Sequence, residues 1–435
     1  MIDYAKMTRN LFRDNPSLEK RIATGIEQNR KGDFLFKLVD RTGIPVPNAT
    51  VRYNLLRHEF KFGCNAFLLD AFDSDEKNEL HDRIFADTFN LAVLPFYWKD
   101  LEPEKGQYRY SADSPKIYRR PPPDRVLEFC RQHHITPKGH VLCWHLFLPE
   151  WLEKDPETIR IELERRIRSL AERYGDSIRI WDVVNEAVGY DGKIPMPQDF
   201  VRLAFELANR YFPKHCKLMY NDNNWSYSAE NTPLYRLLRR LRSEGCRLDG
   251  LGLQYHMFAH GTAAENLAND MLDPEYVLKV LDLDASVGVP IDISEVTILG
   301  SDELKDGESA QTQMLDRLYR LWFSHPAIKS IIYWNLADDC TFVRPGWNEN
   351  IFKGGLLRQD LSPKKAFITL QNLLRKEWHS AGTLEYSDET VNTFHGFYGE
   401  YELEIQGPHG HCVKTVHLRK SVPAAESVIT VETTG

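Results

Sequence analysis

Short apolar runs alternate with amphipathic stretches from Phe62 to Leu336, and this alternation constrains the fold more than any other feature. Short apolar runs are typical of buried strands, and apolar residues recurring at three- and four-residue steps are typical of helices. Buried strands separated by helices predict a parallel sheet, and eight of them predict an α/β fold of the (β/α)₈ TIM barrel type. An open doubly wound sheet is the alternative, but its Gly-rich phosphate turn is missing from the sequence. The eight runs are Phe62–Phe67, Leu91–Phe96, Thr136–Trp144, Ile178–Val184, Lys217–Tyr220, Leu251–Tyr255, Pro290–Val296 and Ser330–Leu336.

The two ends of the chain have a different pattern. Residues 1–57 predict a charged helix and then two strands around a Gly/Pro turn. Residues 381–435 contain short alternating runs separated by Gly and Pro, which predict a small β-sandwich-like module. We therefore expect an N-terminal helical and β extension at 1–57, a barrel at 58–380 and a β-rich module at 381–435.

Composition excludes several classes of protein. Charged residues are 27% and hydrophobic residues 42%, as in an ordinary folded protein, and the net charge of −8 disfavours nucleic-acid binding. The apolar runs are shorter than the roughly 20 residues that span a membrane. The first residues carry charges and no apolar secretion signal, so we expect a cytoplasmic protein as written, or a secreted one if a leader was removed. The seven scattered cysteines predict buried free thiols.

Chemically capable side chains follow the predicted strands at their carboxyl ends, where barrel enzymes build their active sites. The fourth strand ends in Asn185-Glu186 and the seventh in Ser294-Glu295. Two carboxyls about 5–5.5 Å apart perform retaining glycoside hydrolysis, one as acid and base and the other as nucleophile. The acid needs a raised pKa, while the nucleophile stays ionised. Adjacent residues of a regular strand point to opposite faces, so the chain must leave the pleat for Asn185 and Glu186 to reach one sugar.

Six segments in order make the barrel region resemble glycoside hydrolase family 10, the endo-β-1,4-xylanases: GHVLCWHLFLPEW, WDVVNEA, YNDNN, DGLGLQYH, ISE and IIYWNLADD. The EPEKGQY segment after Trp98 is similar to the family as well. The resemblance implies a β-linked oligo- or polysaccharide substrate, with Glu186 as acid/base and Glu295 as nucleophile. It further implies that Asn185 binds the sugar 2-hydroxyl and that His256 orients the nucleophile. The other substrate-binding residues that it implies are His145, Gln254, Trp334, Trp347, Trp151 and Tyr97.

Two departures from the family pattern bear on the substrate and on the pH dependence. Where members usually have an Asn-Glu-Met-Lys-Trp type of sequence, this chain has Leu94-Pro95-Phe96-Tyr97-Trp98. The amide and ammonium groups that grip the second glycone sugar are therefore replaced by apolar and aromatic groups. The Asp that commonly pairs with the orienting His is Thr297 here, which brings a hydroxyl but no charge. A protonated His256 is then less favoured, because the adjacent negative charge is missing.

Other functions remain open from the sequence. The histidines suggest a metal site, but His140 and His145 are five apart and face opposite sides of a regular strand, so we expect neither metal nor cofactor. A non-catalytic carbohydrate-binding barrel is a second alternative, although it has no use for two paired acids. A third is the same mechanism acting on another β-glycoside, such as an aryl or sterol glycoside. The departure at residues 94–97 favours this third alternative over the other two.

Overall fold

The computed structural model describes residues 1–223, 232–408, 410–420 and 426–431. The chain forms two compact units. The first contains residues 1–14, 62–322 and 327–367, and the second contains residues 15–61, 323–326 and 368–435. The chain begins with helices α1 (Tyr4–Thr8) and α2 (Pro16–Arg30) and strands β1 (Lys31–Val39) and β2 (Asn48–His58).

A closed eight-stranded parallel barrel forms the first unit, as the alternation of runs predicts. Neighbouring strands follow chain order, and the last strand closes the barrel against the first. Every residue of the seventh strand is buried, which explains why the strands appear in the sequence as apolar runs. The strands are β3 (Lys61–Asn65), β4 (Leu91–Pro95), β5 (Thr136–Cys143), β6 (Ile180–Asn185), β7 (Lys217–Asp222), β8 (Gly250–His256), β9 (Ile291–Thr297) and β10 (Ile328–Tyr333).

Helices follow the barrel strands along the chain, and local signals set where they begin. The longest one is preceded by Asp155, whose carboxylate accepts hydrogen bonds from the backbone of Glu157 and Thr158, and Pro156 occupies its first turn. The helices are α3 (Asp75–Thr88), α4 (Trp98–Leu101), α5 (Pro123–Gln132), α6 (Pro156–Tyr174), α7 (Phe200–Tyr211), α8 (Pro233–Ser243), α9 (Gly261–Asn266), α10 (Pro274–Ala285), α11 (Gly307–Ser324) and α12 (Lys365–Asn372).

The remaining strands are short and antiparallel in most of their pairings. Strands β11 (Val343–Arg344) and β12 (Trp347–Asn348) form a small hairpin in the loop after β10. The C-terminal strands are β13 (Ala381–Ser387), β14 (Asn392–Phe397), β15 (Gly399–Gly407), β16 (Gly410–Leu418) and β17 (Ser427–Thr430). They confirm that β-sheets flank the barrel in the sequence.

Strands from both ends of the chain share the two sheets of the second unit. One sheet has the order β13-β2-β15-β16, and the other has the order β14-β1-β17. The sequence instead predicts two separate flanking modules, at 1–57 and 381–435, because local patterns do not reveal which distant strands will pair. Aromatic rings fill the space between these strands, with Tyr53 stacked on Phe394 at 4.3 Å between ring centroids.

The described helices include none that is both long enough and apolar enough to cross a membrane.

Candidate active site

Glu186 stands immediately after β6 with a left-handed backbone, at φ of 53°. Its N–H donates to the carbonyl of Asn221 on the neighbouring strand at 2.9 Å. This conformation takes the chain out of the pleat, as the sequence requires if two adjacent side chains are to meet. The side chains of Asn185 and Glu186 both contact the amide nitrogen of Gln254, which lies 3.2 Å from Asn185 Oδ1 and 2.9 Å from Glu186 Oε1.

Asp222 anchors the loop that carries Glu186. Its Oδ2 accepts hydrogen bonds from the backbone N–H of Val188 at 3.0 Å and from the Tyr220 hydroxyl at 2.6 Å. Burial raises the pKa of Asp222, and the hydrogen bonds from Tyr220 and Val188 oppose that rise. The anchor therefore fixes the residues that follow the catalytic acid candidate.

Glu295 lies within β9 and is buried, with three hydrogen-bonding neighbours. Its Oε1 accepts from Asn221 Nδ2 at 2.6 Å and from Gln254 Nε2 at 3.2 Å. Its Oε2 lies 3.1 Å from Nε2 of His256. Donors on both oxygens stabilise the ionised form of a carboxyl group.

The contacts of Gln254 set an upper limit on the distance between the two carboxyls. Its single amide nitrogen is 2.9 Å from one carboxylate and 3.2 Å from the other, so these two oxygens lie within about 6 Å of each other. Inverting glycosidases separate their carboxyls by about 6.5–9.5 Å to admit a water molecule, and retaining ones by about 5–5.5 Å. The geometry is therefore compatible with direct attack by one carboxylate on a sugar that the other protonates.

Burial raises the pKa of Glu186 and of Glu295 to about 7 in each case, and the negative charge of Glu295 adds to the rise at Glu186. Two carboxyls this close share one proton. Glu295 accepts hydrogen bonds from two side-chain amides, whereas Glu186 accepts one from Gln254. We therefore assign the shared proton to Glu186 and the charge to Glu295.

His256 is held between Glu295 and Thr297. Its Nδ1 lies 2.9 Å from the Thr297 hydroxyl, while its Nε2 faces Glu295. Burial lowers the pKa of His256 to about 4, so the ring is neutral at neutral pH. A neutral ring satisfies both neighbours if Thr297 donates to Nδ1 and Nε2–H donates to Glu295. The uncharged contact expected from the sequence at Thr297 is thus present.

A buried ion cluster, built from strands β5, β6 and β9, acts on Glu295. Lys138 Nζ is 3.1 Å from Asp182 and 3.4 Å from Asp292. His140 Nδ1 is 2.9 Å from the second oxygen of Asp182. Lys138 and His140 lower the pKa of Glu295, and Asp182 raises it. The cluster thus contributes opposing charges around the candidate nucleophile.

A cavity of about 430 Å³ contains both carboxyls, and its volume is in the range of small-molecule sites. Trp334, Trp347 and Tyr97, which the family resemblance implies as binding residues, all line it together with Gln254 and His256. The Trp334 ring lies edge-on to Phe67 and to His256, with centroids 5.3 Å and 6.0 Å away. Aromatic side chains surround much of the space in which a sugar would lie.

A second cavity of about 340 Å³ is also lined by Glu186. Glu186 and Gln254 line both cavities, whereas Glu295 lines only the first. His145 lines this second cavity, with its ring against Tyr190 at 5.3 Å. The candidate acid is therefore placed between two spaces, and the candidate nucleophile faces one of them.

Two of the predicted binding residues line neither cavity: Asn185, whose Oδ1 accepts from Asn221 and Gln254, and Trp151. The indole N–H of Trp151 donates to the backbone oxygen of Glu102 at 2.8 Å, and its ring packs edge-on against Trp98. The guanidinium of Arg165 lies 5.8 Å from the ring centroid. These contacts tie Trp151 to the loop after β4 and not to the carboxyls.

The histidines that suggest a metal site lie in different surroundings. His140 contacts Asp182, His145 contacts Tyr190, and His256 contacts Glu295 and Thr297. Across the part of the chain that the structure describes, no three His, Cys, Asp or Glu side chains converge as metal ligands would.

Several cavity residues escape the sequence analysis because they come from loops without a recognisable pattern. Arg119 and Arg120 come from the loop before α5, and Phe342 and Arg344 come from the loop after β10. A sequence signal could have revealed Asn221, which lies next to the last residue of the fifth barrel strand, in the YNDNN segment. Its amide hydrogen bonds to Glu295 and also to Asn185, at 2.8 Å.

Comparison with known proteins places these features in a family. A family model described as glycosyl hydrolase family 10 matches residues 64–373. The anti-sigma-I factor RsgI6 of Acetivibrio thermocellus is 27% identical over 396 residues, which cover 88% of this chain and 46% of that protein. The chain thus spans less than half the length of this curated relative.

Two further comparisons concern xylanases. Endo-1,4-beta-xylanase 2 of Aureobasidium pullulans is 27% identical over 278 residues, which cover 59% of this chain and 74% of that protein. The crystal structure of xylanase 10B from Thermotoga petrophila in complex with xylobiose matches with a TM-score of 0.59 and 22% identity, covering 73% of this chain and 95% of that one. This structural match supports the barrel fold. Because the family model covers well over half of the sequence, the chain belongs to glycosyl hydrolase family 10.

Proposed function

We propose that the protein is a retaining glycosidase that cleaves β-1,4-xylosidic bonds in xylan or xylo-oligosaccharides by double displacement. The observation that carries the proposal is the bridge made by Gln254, which holds Glu186 and Glu295 on one amide nitrogen. Membership of glycosyl hydrolase family 10 supports the reaction class. The curated xylanase relative and the solved xylanase bound to xylobiose support the substrate.

The first displacement uses the protonation state assigned above. A sugar ring occupies the cavity lined by Glu295, with its anomeric carbon next to the ionised carboxylate. Glu295 forms a bond to that carbon while the glycosidic C–O bond breaks, and Glu186 gives its proton to the departing oxygen. The product is a glycosyl-enzyme ester on Glu295 and a leaving group with a new hydroxyl.

The second displacement returns the enzyme to its starting state. Glu186, now ionised and relieved of the neighbouring charge, takes a proton from a water molecule. The water oxygen attacks the anomeric carbon, the ester bond to Glu295 breaks, and the sugar is released with its original configuration. The second cavity, which Glu186 lines and Glu295 does not, suits the leaving group and then the water.

The test is hydrolysis of xylohexaose followed by proton NMR of the newly formed anomeric centre. We expect a β-anomer as the first product, which then mutarotates, and an initial α-anomer would contradict the retaining mechanism. An activated aryl xyloside assayed in parallel should give a burst of aryl alcohol if the glycosyl-enzyme accumulates. Absence of both burst and turnover would favour a carbohydrate-binding barrel without catalysis.

A second candidate is the same mechanism acting on another β-glycoside. The observation that favours it is Tyr97, which is buried among Phe147 at 4.8 Å and Trp144 at 5.7 Å. Tyr97 belongs to the segment 94–97, which lacks the amide and ammonium groups with which the family grips a second glycone sugar. The product profile on xylohexaose against small aryl β-glycosides separates the two, because rapid internal cleavage of xylohexaose contradicts the second candidate.

A further inference from the structure

Two consecutive arginines line the cavity that contains both carboxyls. Arg119 and Arg120 are only 3% and 7% exposed, yet both contribute to the wall of this space. Buried guanidinium groups are costly unless a partner compensates their charge. The positive charges of the two arginines must therefore be balanced by neighbouring groups or by a ligand.

The charge of Arg120 is balanced within the protein. Its Nε lies 2.7 Å from Asp100 Oδ2, and its guanidinium carbon lies 3.9 Å above the centroid of the Tyr97 ring. An ion pair and a cation–π contact together occupy this side chain. Arg120 thus covers the Tyr97 ring in the wall of the cavity.

Arg119 is balanced much less well. Its terminal nitrogens donate to the backbone oxygen of Cys340 at 2.5 Å and to Asn335 Oδ1 at 3.0 Å. Its buried Nε–H has no hydrogen-bond partner among the described residues, and no carboxylate among them lies within the 4.0 Å of an ion pair. Glu349, which lines the same cavity, acts on Arg119 through its negative charge without an ion-pair contact, and it is linked to Arg119 by Asn335, whose Nδ2 donates to Glu349 at 2.9 Å.

The backbone of Arg119 is left-handed, with φ of 59°. A residue with a Cβ atom adopts this region only at a cost, and such residues concentrate at functional sites. Here the conformation belongs to a buried cation that is incompletely paired and lies against a candidate substrate cavity. Backbone strain and a buried guanidinium without an ion-pair partner among the described residues point together to a ligand.

The polar groups around the cavity also differ in kind from those the family uses. Residues 94–97 lack the amide and ammonium donors for a neutral second sugar, whereas guanidinium groups of Arg119 and Arg120 line the same cavity. Arg344, on the exposed hairpin strand β11, adds a third guanidinium to the lining. Guanidinium groups bind carboxylates with paired, charge-assisted hydrogen bonds.

We infer that the cavity takes a sugar that carries a carboxylate, so that the substrate class is a uronate-bearing β-glycan. The inference rests on the proposed function, because the same two carboxyls perform the cleavage. Arg119 supplies the buried positive charge that the sugar carboxylate neutralises, and Arg344 attracts the anion at the surface. The anomeric carbon of the bond that is cleaved lies next to Glu295, as in the proposed function.

The test compares three xylotetraose substrates: unsubstituted, bearing one glucuronyl group, and bearing the methyl ester of that group. The ester keeps the shape and removes the charge. We expect the wild-type kcat/KM for the acid to exceed that for the ester by about 10- to 100-fold. Added salt should lower this ratio by acting on the acid alone. Equal rates for acid and ester overturn the inference while leaving the proposed function intact, and no cleavage of any of the three overturns both.

Variants test which arginine is responsible for the preference for the acid over the ester. Arg119→Gln should bring the acid-to-ester ratio close to one, and Arg344→Gln should lower it less. Because the ratio is taken within each variant, a general loss of activity from a loosened loop cancels. Arg131→Gln is the matched control, since Arg131 is exposed on α5 and pairs with Glu128. If Arg119→Gln does not fold, a wild-type ratio retained in Arg344→Gln, together with a ratio insensitive to salt, counts against the inference.

Discussion

The hydroxyl of Thr297 lies 2.9 Å from Nδ1 of His256, in the position where a carboxylate would leave the ring charged. Burial keeps the His256 ring neutral, and with Thr297 as the donor to Nδ1 the ring donates its Nε2–H to Glu295. A neutral donor stabilises the ionised nucleophile less than an imidazolium would. The pH dependence of the enzyme should therefore respond to a single substitution at Thr297.

Thr297→Asp places a negative charge beside His256, which raises the pKa of the ring from about 4. A protonated His256 in turn lowers the pKa of Glu295, so the acidic limb of the kcat/KM profile should move to lower pH. Thr297→Ser keeps a hydroxyl and should leave the profile in place. A full pH–rate profile of both variants checks this, and an unmoved acidic limb in Thr297→Asp would contradict the role given to Thr297.

Replacement of each carboxyl should separate their roles. Glu295→Gln should reduce turnover by several orders of magnitude on every substrate, because no ester can form. Glu186→Gln should reduce cleavage of xylo-oligosaccharides by about 10²- to 10⁴-fold and that of an activated aryl xyloside far less in the first step, since a good leaving group needs no proton. Equal losses on both substrates in presteady-state assays of Glu186→Gln would exclude it as the acid.

The same two substitutions should stabilise the fold above neutral pH. Both carboxyls have a pKa of about 7 in the folded protein, raised from the ordinary value of 4.5. Between these values the folded state binds more protons than the unfolded state, so stability falls as pH rises from about 4.5 to 7. Glu186→Gln and Glu295→Gln remove that loss. Thermal unfolding should show Tm raised by a few degrees at pH 8 and little changed at pH 4.

Asp222→Asn should change both the pKa of Glu186 and the position of the loop that carries Glu186. The negative charge of Asp222 raises the pKa of Glu186, so its removal should shift the basic limb of kcat/KM to lower pH. The substitution also turns one of the two accepting oxygens into an NH2 group, so the loops that Asp222 holds lose an acceptor and kcat should fall as well. Tyr220→Phe removes a hydrogen bond to Asp222 and leaves the charge, so its basic limb should stay or move slightly upward. A downward shift of similar size in both variants would argue against an electrostatic role for Asp222.

Gly252 on β8 leaves room for Asn221. A Cβ atom at Gly252 would collide with Asn221 Oδ1, and Asn221 holds Glu295. Gly252→Ala should therefore lower kcat by about tenfold or more, with KM affected less. Gly250→Ala on the same strand would meet the flexible end of Met219 and is the matched control. Comparable kcat losses in both variants would show that the effect is general to the strand.

The barrel could be predicted from the sequence because strands that are buried on both faces are apolar along their whole length. Strand β9 is buried throughout, and it is visible as an apolar run. The candidate acid and nucleophile were predictable for a related reason, since Glu186 follows β6, Glu295 lies near the end of β9, and the carboxyl ends of barrel strands share one rim. Arg119 and Arg120 were not predictable, because their place in the cavity depends on the path of an irregular loop. Trp151 shows the converse, since an aromatic residue in a family-like segment can pack against Trp98 instead of the cavity.

The pairing of β2 between β13 and β15 affects how the protein is made. On the ribosome, β2 is complete at His58, but its partner β13 does not start until Ala381. At about 5–20 residues per second, the early strand waits on the order of 15–60 s, with its pairing edges open while the barrel is being synthesised. Removal of the last 50 or so residues in a shortened gene would therefore leave the N-terminal strands without partners and expose them to aggregation.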